Sequence, residues 1–546
     1  MHCPRISFVQ RQPHCRDGRI NLLWALLLSA VSLVCGLIWF MSSGEPSRGV
    51  DQDTLIIYAA AGMRVPMEEI AEQYESEYGV TLEIQYNGSN TLLNQLQTDQ
   101  FNQADVYLAA DDFYTDKAVA LGLAIDTIPL ASQYPVVAVR RDSKKKIVNF
   151  NDLLVEGVRV AVANPDQAAV GKATRRQLLA LRAGESNRWE QLEKQVTEYG
   201  VFKPTVNDIA TDVKIGTIDA AIVWNSTVAM PKYKEDLVGI EMPELAGSRD
   251  LISVAVLHSS SDLPSAYRFA RFVSARDKGL KTFAKYGTEP LDGDVWDAEP
   301  QVNFFCGAVN RRTTERIIED FQSQEGVVVK TIYDGCGILT SRMKGIEGQS
   351  QDQGFPDVYM ACDLHYLENV KTWFQDAANV SDVELVIVVP KGSSKVESLA
   401  DLLKPDIRVA VGEPEQCTIG VLTRRMLQEE GLHDGFASKQ RGDTVMIVEK
   451  SSSAHLVPDV VTGHVDAAIA YLSDVLPNTD DVDYIHIESP LNRAIQPISI
   501  AKTSEHKYLL RRLFRRIENS PETFESLGFH FRFGDHSEND AESPTP

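Results

Sequence analysis

The chain has 546 residues, several times what one hydrophobic core can organise. With 43% hydrophobic and 24% charged residues it falls in the globular range, which excludes wholesale disorder and a polytopic membrane protein. Lys and Arg number 54 against 77 Asp and Glu, a net charge of −23 that argues against nucleic-acid binding, and seven cysteines are too few for a disulfide scaffold of this length.

The chain opens with an export segment. Leu22 to Met41 is an uncharged run of 20 residues, about 30 Å as a helix. Arg5, Arg11, Arg16 and Arg19 precede it against Asp17 alone, so residues 1–21 are expected in the cytoplasm and the bulk outside. Small residues at Ser42-Ser43-Gly44 leave cleavage as the competing reading; the length of the apolar run favours an uncleaved anchor at 22–41. Residues 42–53 read as a polar linker and 532–546 as a disordered tail.

The exported part is one unit written twice. VRVAVANPDQAAVGKATRRQL (158–178) matches IRVAVGEPEQCTIGVLTRRML (407–427) with 11 of 21 positions identical. IQYNGSNTLL (84–93) answers to TIYDGCGILT (331–340), ADVYLAADD (104–112) to PDVYMACDL (356–364), and GTIDAAIVWNS (216–226) to GHVDAAIAYLS (463–473). Two homologous units result, 54–290 and 302–531, joined by the acidic linker 291–301.

Within the first unit, TLIIYAA reads as a strand and VPMEEIAEQYESEYG as a helix with Met67, Ile70, Ala71 and Tyr74 on one face. VTLEIQYN and ADVYLAA are further strands, each followed by a helical stretch. This alternation predicts parallel sheets covered on both faces, with ligands beyond the carboxyl ends of the strands. Those ends are small and polar: Ala59-Ala60-Ala61-Gly62, Asn87-Gly88-Ser89-Asn90 and Ala109-Ala110-Asp111. Small residues let backbone N–H groups approach a ligand, which suits an oxyanion; the bland alternative is tight turns with nothing bound.

The motifs YAAAGM, YNGSNTL, ADVYLAAD, ANPDQAAVG and GTIDAAIVW together resemble those of the periplasmic molybdate-binding proteins that feed ABC importers, and both units share the likeness end to end. The resemblance implies an α/β fold: two tandem periplasmic-binding-protein-like units, each of two doubly wound lobes joined by a hinge. YPVVAVR (134–140) and ISVAVL (252–257) then look like the crossing strands. Lobe A of the first unit would hold 54–133 and 243–290, and lobe B 134–242. The implied ligand contacts fall on Ala61, Gly62, Ser89, Val170, Val206 and Trp224. The hydroxyl expected after the alanine run is missing at Gly62, the amide expected 18 residues before the aromatic falls at Val206, and tryptophan stands for tyrosine at 224. Arg64 would add a charge only if it turned inward. The second-unit equivalents are Ala308, Val309, Cys336, Ile419, Ser453 and Tyr471.

The second unit departs further. Cys306, Cys336, Cys362 and Cys417 all fall in turns that this fold directs toward the cleft, and Cys336 stands where the first unit has Ser89. Three accounts stay open: disulfides, a soft-metal or iron–sulfur site with all four as ligands, or buried thiols that merely pack. His365 lies near enough to Cys362 to join such a site.

There is no GxSxG elbow, HExxH or GxxxxGK[ST] loop, so the expectation is a non-enzymatic protein without a required cofactor. Thr174-Arg175-Arg176 recurs as Thr423-Arg424-Arg425, either a solvated helix face or a docking contact. The expected function is a membrane-tethered, extracytoplasmic solute-binding protein capturing molybdate, tungstate or a similar oxyanion, with an ABC permease as its partner. The alternative is a thiol- or soft-metal-based redox or metal-binding protein using the second unit.

Overall fold

The computed structural model describes residues 54–98, 104–183, 186–247, 249–346, 354–440 and 446–533. The anchor expected at 22–41, with its flanks 1–21 and 42–53, lies outside the described residues, as does 534–546 of the tail. Among the described residues no helix is long and apolar enough to cross a membrane.

Among the described residues the first unit contains two large sheets and a two-stranded ribbon of Arg182–Ala183 with Ser186–Asn187. Strands β1 (Thr54–Ala60), β2 (Thr81–Asn87), β3 (Val106–Ala109) and β4 (Ala124–Gln133) join one sheet, and β5 (Pro135–Arg140), β6 (Val160–Ala163), β7 (Val201–Lys203), β8 (Ala220–Trp224) and β9 (Leu237–Ile240) form the other. The chain then returns to the first sheet through β10 (Asp250–Leu257) and β11 (Glu289–Pro290), giving the orders β11-β4-β10-β3-β1-β2 and β9-β5-β8-β6-β7. β1 pairs parallel with β3, but β10 runs antiparallel to both β3 and β4, so the sheets are mixed rather than purely parallel. The antiparallel strands are those next to the chain's passages between sheets. The segments expected to cross do not: β5 lies wholly in the second sheet and β10 wholly in the first, and the chain passes between them at Tyr134 and over 241–249.

Helices cover the sheets because their apolar residues recur on one face. The helix Arg64–Tyr78 buries Met67, Ile70, Ala71 and Tyr74, the stripe read from the sequence, and ends at Gly79, whose φ of 69° only glycine adopts without strain.

The second unit repeats the plan with its sheets fused. β12 (Gln301–Gly307), β13 (Val328–Asp334), β14 (Val358–Met360), β15 (Phe374–Pro390), β16 (Val409–Gly412), β17 (Ile447–Lys450), β18 (Ala467–Tyr471), β19 (Val482–His486), β20 (Arg493–Ala501) and β21 (Phe529–Phe531) form one ten-stranded sheet. The 17-residue β15 makes the fusion, pairing with β20 over 374–384 and with β18 over 385–388. Arg532 and Phe533, placed in the tail by sequence, still belong to this unit: the Arg532 N–H donates to the Val380 carbonyl at 2.9 Å and Phe533 stacks on Phe531.

The linker is pinned on both sides. The Asp294 carboxylate accepts from the Tyr508 and Leu509 N–H groups, each at 2.9 Å, and Trp296 Nε1 donates to Tyr78 Oη at 3.0 Å. Gln301, counted with the linker from the sequence, already opens β12. Nearby, the fully buried Glu325 accepts two hydrogen bonds from Arg512, at 2.5 and 2.8 Å, while Arg271 of the first unit donates to its carbonyl at 2.5 Å. Arg516 reaches Asp126 of β4 at 2.9 Å. A buried carboxylate is tolerable only when paired this fully, so these contacts join the two units firmly.

Candidate functional site

In the first unit the three strand-end turns and two helix starts meet around a cavity of about 20 Å³. Ala61, Gly62, Ser89, Val170, Val206 and Trp224 all lie on its wall, so the structure brings together every first-unit residue singled out in the sequence. Helices begin at Ser89, Ala169 and Val206, and a 3-10 turn begins at Ala61. The residues before Ala61 and Ala169 are Ala60 and Ala168, which supply no side-chain cap, so first-turn N–H groups remain for a ligand. Thr205 caps the Val206 helix through its hydroxyl, which accepts from Asp208 N.

The walls are held by buried polar contacts. Ser89 Oγ accepts from the Ala110 N–H at 3.2 Å, Tyr107 Oη donates to the Ser89 carbonyl at 2.7 Å, and Gln133 Nε2 donates to the Ala110 carbonyl at 2.9 Å. The cleft is closed. Asn207 Nδ2 crosses it to the Ala61 carbonyl at 2.7 Å and Asn90 Nδ2 to the Asp166 carbonyl at 2.5 Å. A Cβ on Gly88 would stand 2.4 Å from the Gln167 carbonyl oxygen, so glycine there permits the closure.

Charge sits just behind this wall. Asp111 caps the helix Asp112–Ala120 by accepting from Phe113 N at 3.0 Å. Burial and the neighbouring Asp250 carboxylate push its carboxyl up to about 7. Burial pushes the Lys172 ammonium, which lies over the Phe113 ring, down to about 8. Arg176 pairs with Asp250, and Arg175 with Asp166 at 2.9 Å. Arg64 does not turn inward; it is exposed, lies over the Tyr86 ring and faces Glu68 at 3.6 Å.

The second unit keeps the scaffold and changes the chemistry. Cys336 Sγ accepts from the Cys362 N–H at 3.0 Å, the contact Ser89 makes with Ala110. Gln496 Nε2 supports the Cys362 carbonyl at 3.2 Å as Gln133 supports Ala110, but from the opposite strand. Burial opposes ionisation of the Cys336 thiol, yet the neighbouring Cys362, through its thiol and its N–H, holds it below its ordinary value. Donation to Cys336, together with burial, pushes the Cys362 thiol well up. Burial raises Cys306 as well, and takes Cys417 to about 11.

All four cysteines are free and buried. Cys306 Sγ lies near Thr314 Oγ1 at 3.9 Å and Cys417 Sγ points to the Lys450 carbonyl at 3.4 Å. Among the described residues no three His, Cys, Asp or Glu side chains are placed to hold a metal ion. Of the three accounts left open for Cys306, Cys336, Cys362 and Cys417, neither disulfides nor a metal-holding group is seen among the described residues, and two of the sulfurs have partners of their own. His365 points elsewhere as well, its Nδ1 facing Arg425 at 3.1 Å. The second-unit equivalents are also divided. Ala308 and Val309 open onto a different cavity of about 270 Å³ with Arg312 and Asp474, the latter pushed up to about 6 by burial and facing the Ser453 hydroxyl. Cys336, Ile419 and Tyr471 are buried.

Sequence comparison fits this duplicated architecture. The bacterial extracellular solute-binding protein family matches twice, over residues 55–289 and 302–527. The chain belongs to this family. A putative binding protein of Haemophilus influenzae is 26% identical over 238 residues, 43% of this chain and 91% of its own length. The molybdate-binding protein ModA of Mycobacterium bovis is 29% identical over 257 residues, 46% of this chain and 91% of its own length. The Azotobacter vinelandii periplasmic molybdate-binding protein is a solved structure with a TM-score of 0.36 and 18% identity, covering 43% of this chain and 98% of its own.

Further residues of this solute-binding protein shape the cleft with little mark in the sequence. Asn207 supplies an amide one position after Val206, where the resemblance implies one, and uses it to close the cleft. Asn90 also bridges the cleft, while Gln133 and Tyr107 hold the Ala110 and Ser89 carbonyls from behind. The ANPDQ and NGSN turns hinted at Asn90 through their shared small residues. Gln133 and Tyr107 sit inside ordinary strand patterns, and nothing local marked them.

Proposed function

We propose that the first unit captures a small tetrahedral oxyanion of the molybdate or tungstate type for ABC-type import, and that residues 22–41 tether the chain to the membrane. The observation carrying this reading is the convergence of helix starts on one cavity, two of them without side-chain caps, with Ser89 among them. Free N–H groups at helix starts stabilise an anion without a full counter-charge. The cavity's 20 Å³ favours a compact inorganic ligand over an organic one, since organic ligands occupy pockets of about 300–1,000 Å³. Lobe closure would then bury the anion and mark the loaded state.

Ser89→Ala tests the site. A hydrogen bond to a charged ligand is worth about 1.5–3 kcal/mol, so molybdate affinity falls roughly tenfold or more by calorimetry. Unchanged affinity would remove Ser89 from the site and with it the carrying observation.

A further inference from the structure

The doubled Thr-Arg-Arg motif has different electrostatic surroundings in the two units. In the first, both arginines are neutralised by carboxylates, Arg175 by Asp166 and Arg176 by Asp250. Asp250 reaches that position because it pairs across the sheet with Gln133, two residues before Pro135 of β5. The corresponding second-unit pair is Val383 with Ala494, two residues before Leu385, so the carboxylate is replaced by a methyl group. Arg424 keeps Glu415 at 3.5 Å, but Arg425 directs Nη2 to His365 Nδ1 at 3.1 Å.

That exchange leaves a polar pocket of about 400 Å³ at the mouth of the second unit's cleft. Lys344 and His365 line it from the side of β12 and β14, and Arg424 and Arg425 from the helix Thr418–Glu429 on the other side. Among the described residues Glu415 is the one carboxylate on the wall. Asp363 lies close behind but is buried, its oxygens engaged by the His365 and Ile495 N–H groups at 3.0 and 3.3 Å. Among the described residues neither Lys344 nor Arg425 forms an ion pair. Two guanidinium groups and an ammonium on one wall repel one another unless something neutralises them.

We propose that this pocket is an anion site for a dianionic phosphate group, free or carried as a monoester, and that the bound phosphate latches the second unit closed. Two guanidinium groups and an ammonium offer the divergent donors that a phosphate's oxygens take. The donors come from both sides of the cleft, so one anion bridges them. The site is separate from the oxyanion cavity of the first unit and does not rest on the function proposed for it.

The test is calorimetric titration of the full chain, at low ionic strength, with inorganic phosphate and separately with glycerol 3-phosphate. Saturable binding is expected, weakening at least tenfold in Arg425→Ala and unchanged in Arg175→Ala, which alters the first unit's own Thr-Arg-Arg motif. Ser89→Ala is run alongside, so that phosphate entering the first unit's cavity is recognised by its loss there. Tighter binding of glycerol 3-phosphate identifies a monoester as the ligand, and equal binding identifies free phosphate. The same ligand should slow amide hydrogen exchange at 414–425 in the wild-type chain and not in Arg425→Ala. Binding that survives Arg425→Ala, or no binding of either ligand, overturns the proposal.

Discussion

The two units set Ser89 against Cys336 in the same place. Each heteroatom accepts a main-chain N–H from the neighbouring turn, at 3.2 Å in the first unit and 3.0 Å in the second, so the backbone frame survived the exchange. What changed is what the frame offers a ligand. A hydroxyl gives a strong hydrogen-bond donor to an oxyanion, whereas a thiol is a weak donor that forms a thiolate if ionised. Around Ser89 the neighbours are small, Ala110 and Ala168; around Cys336 they are Cys362 and Cys417. The comparison teaches that a fold can be copied while its recognition chemistry is rewritten at a few turn positions.

The largest effect is expected from blocking closure in one unit at a time. Gly88 and Gly335 occupy matching turns, where an added Cβ would stand 2.4 Å from the Gln167 oxygen and 2.7 Å from the Gln416 oxygen. Overpacking of this kind costs about 1–3 kcal/mol. Gly88→Ala is therefore expected to weaken molybdate binding about ten- to a hundredfold, with Gly335→Ala leaving it unchanged, as read by calorimetry. Equal losses in both variants would mean that the units do not divide the work.

A smaller effect separates the units by pH. Asp111, raised to about 7, is protonated below that value in the folded chain, and Lys172, lowered to about 8, keeps its charge there. Rising pH thus adds a negative charge beside the first site and then removes a positive one, and both changes repel an anion. Affinity for molybdate is expected to fall by roughly tenfold between pH 6 and pH 9, within the range of a unit charge acting at partial burial. Asp111→Asn keeps the helix cap and should flatten the lower part of that profile; a profile identical to wild type would show that Asp111 does not act on the site.

Much of this was legible in the sequence because small residues at strand ends leave a repeating signature. YAAAG, YNGSN and ADVYLAAD by themselves imply that Ala61, Gly62 and Ser89 lie near one another, and all three line the one cavity. The crossings were less so: an apolar run such as ISVAVL announces a strand without saying which sheet it joins, and the chain changes sheets just before it. The arrangement of the cysteines was not legible for a related reason. Turn positions predict that four sulfurs approach the cleft, but side-chain direction decides whether they meet, and Cys306 and Cys417 turn aside. The fate of the arginine pairs was hidden too, since it depends on Asp250 and Ala494, residues of another strand some 70 positions away.

The most direct test of the division between the units is the stoichiometry of molybdate binding to the full chain by calorimetric titration, with sulfate as competitor. The account predicts one tight site per chain, abolished or strongly weakened by Gly88→Ala. Two equivalent sites, or one site that Gly88→Ala leaves intact while Gly335→Ala removes it, would contradict it.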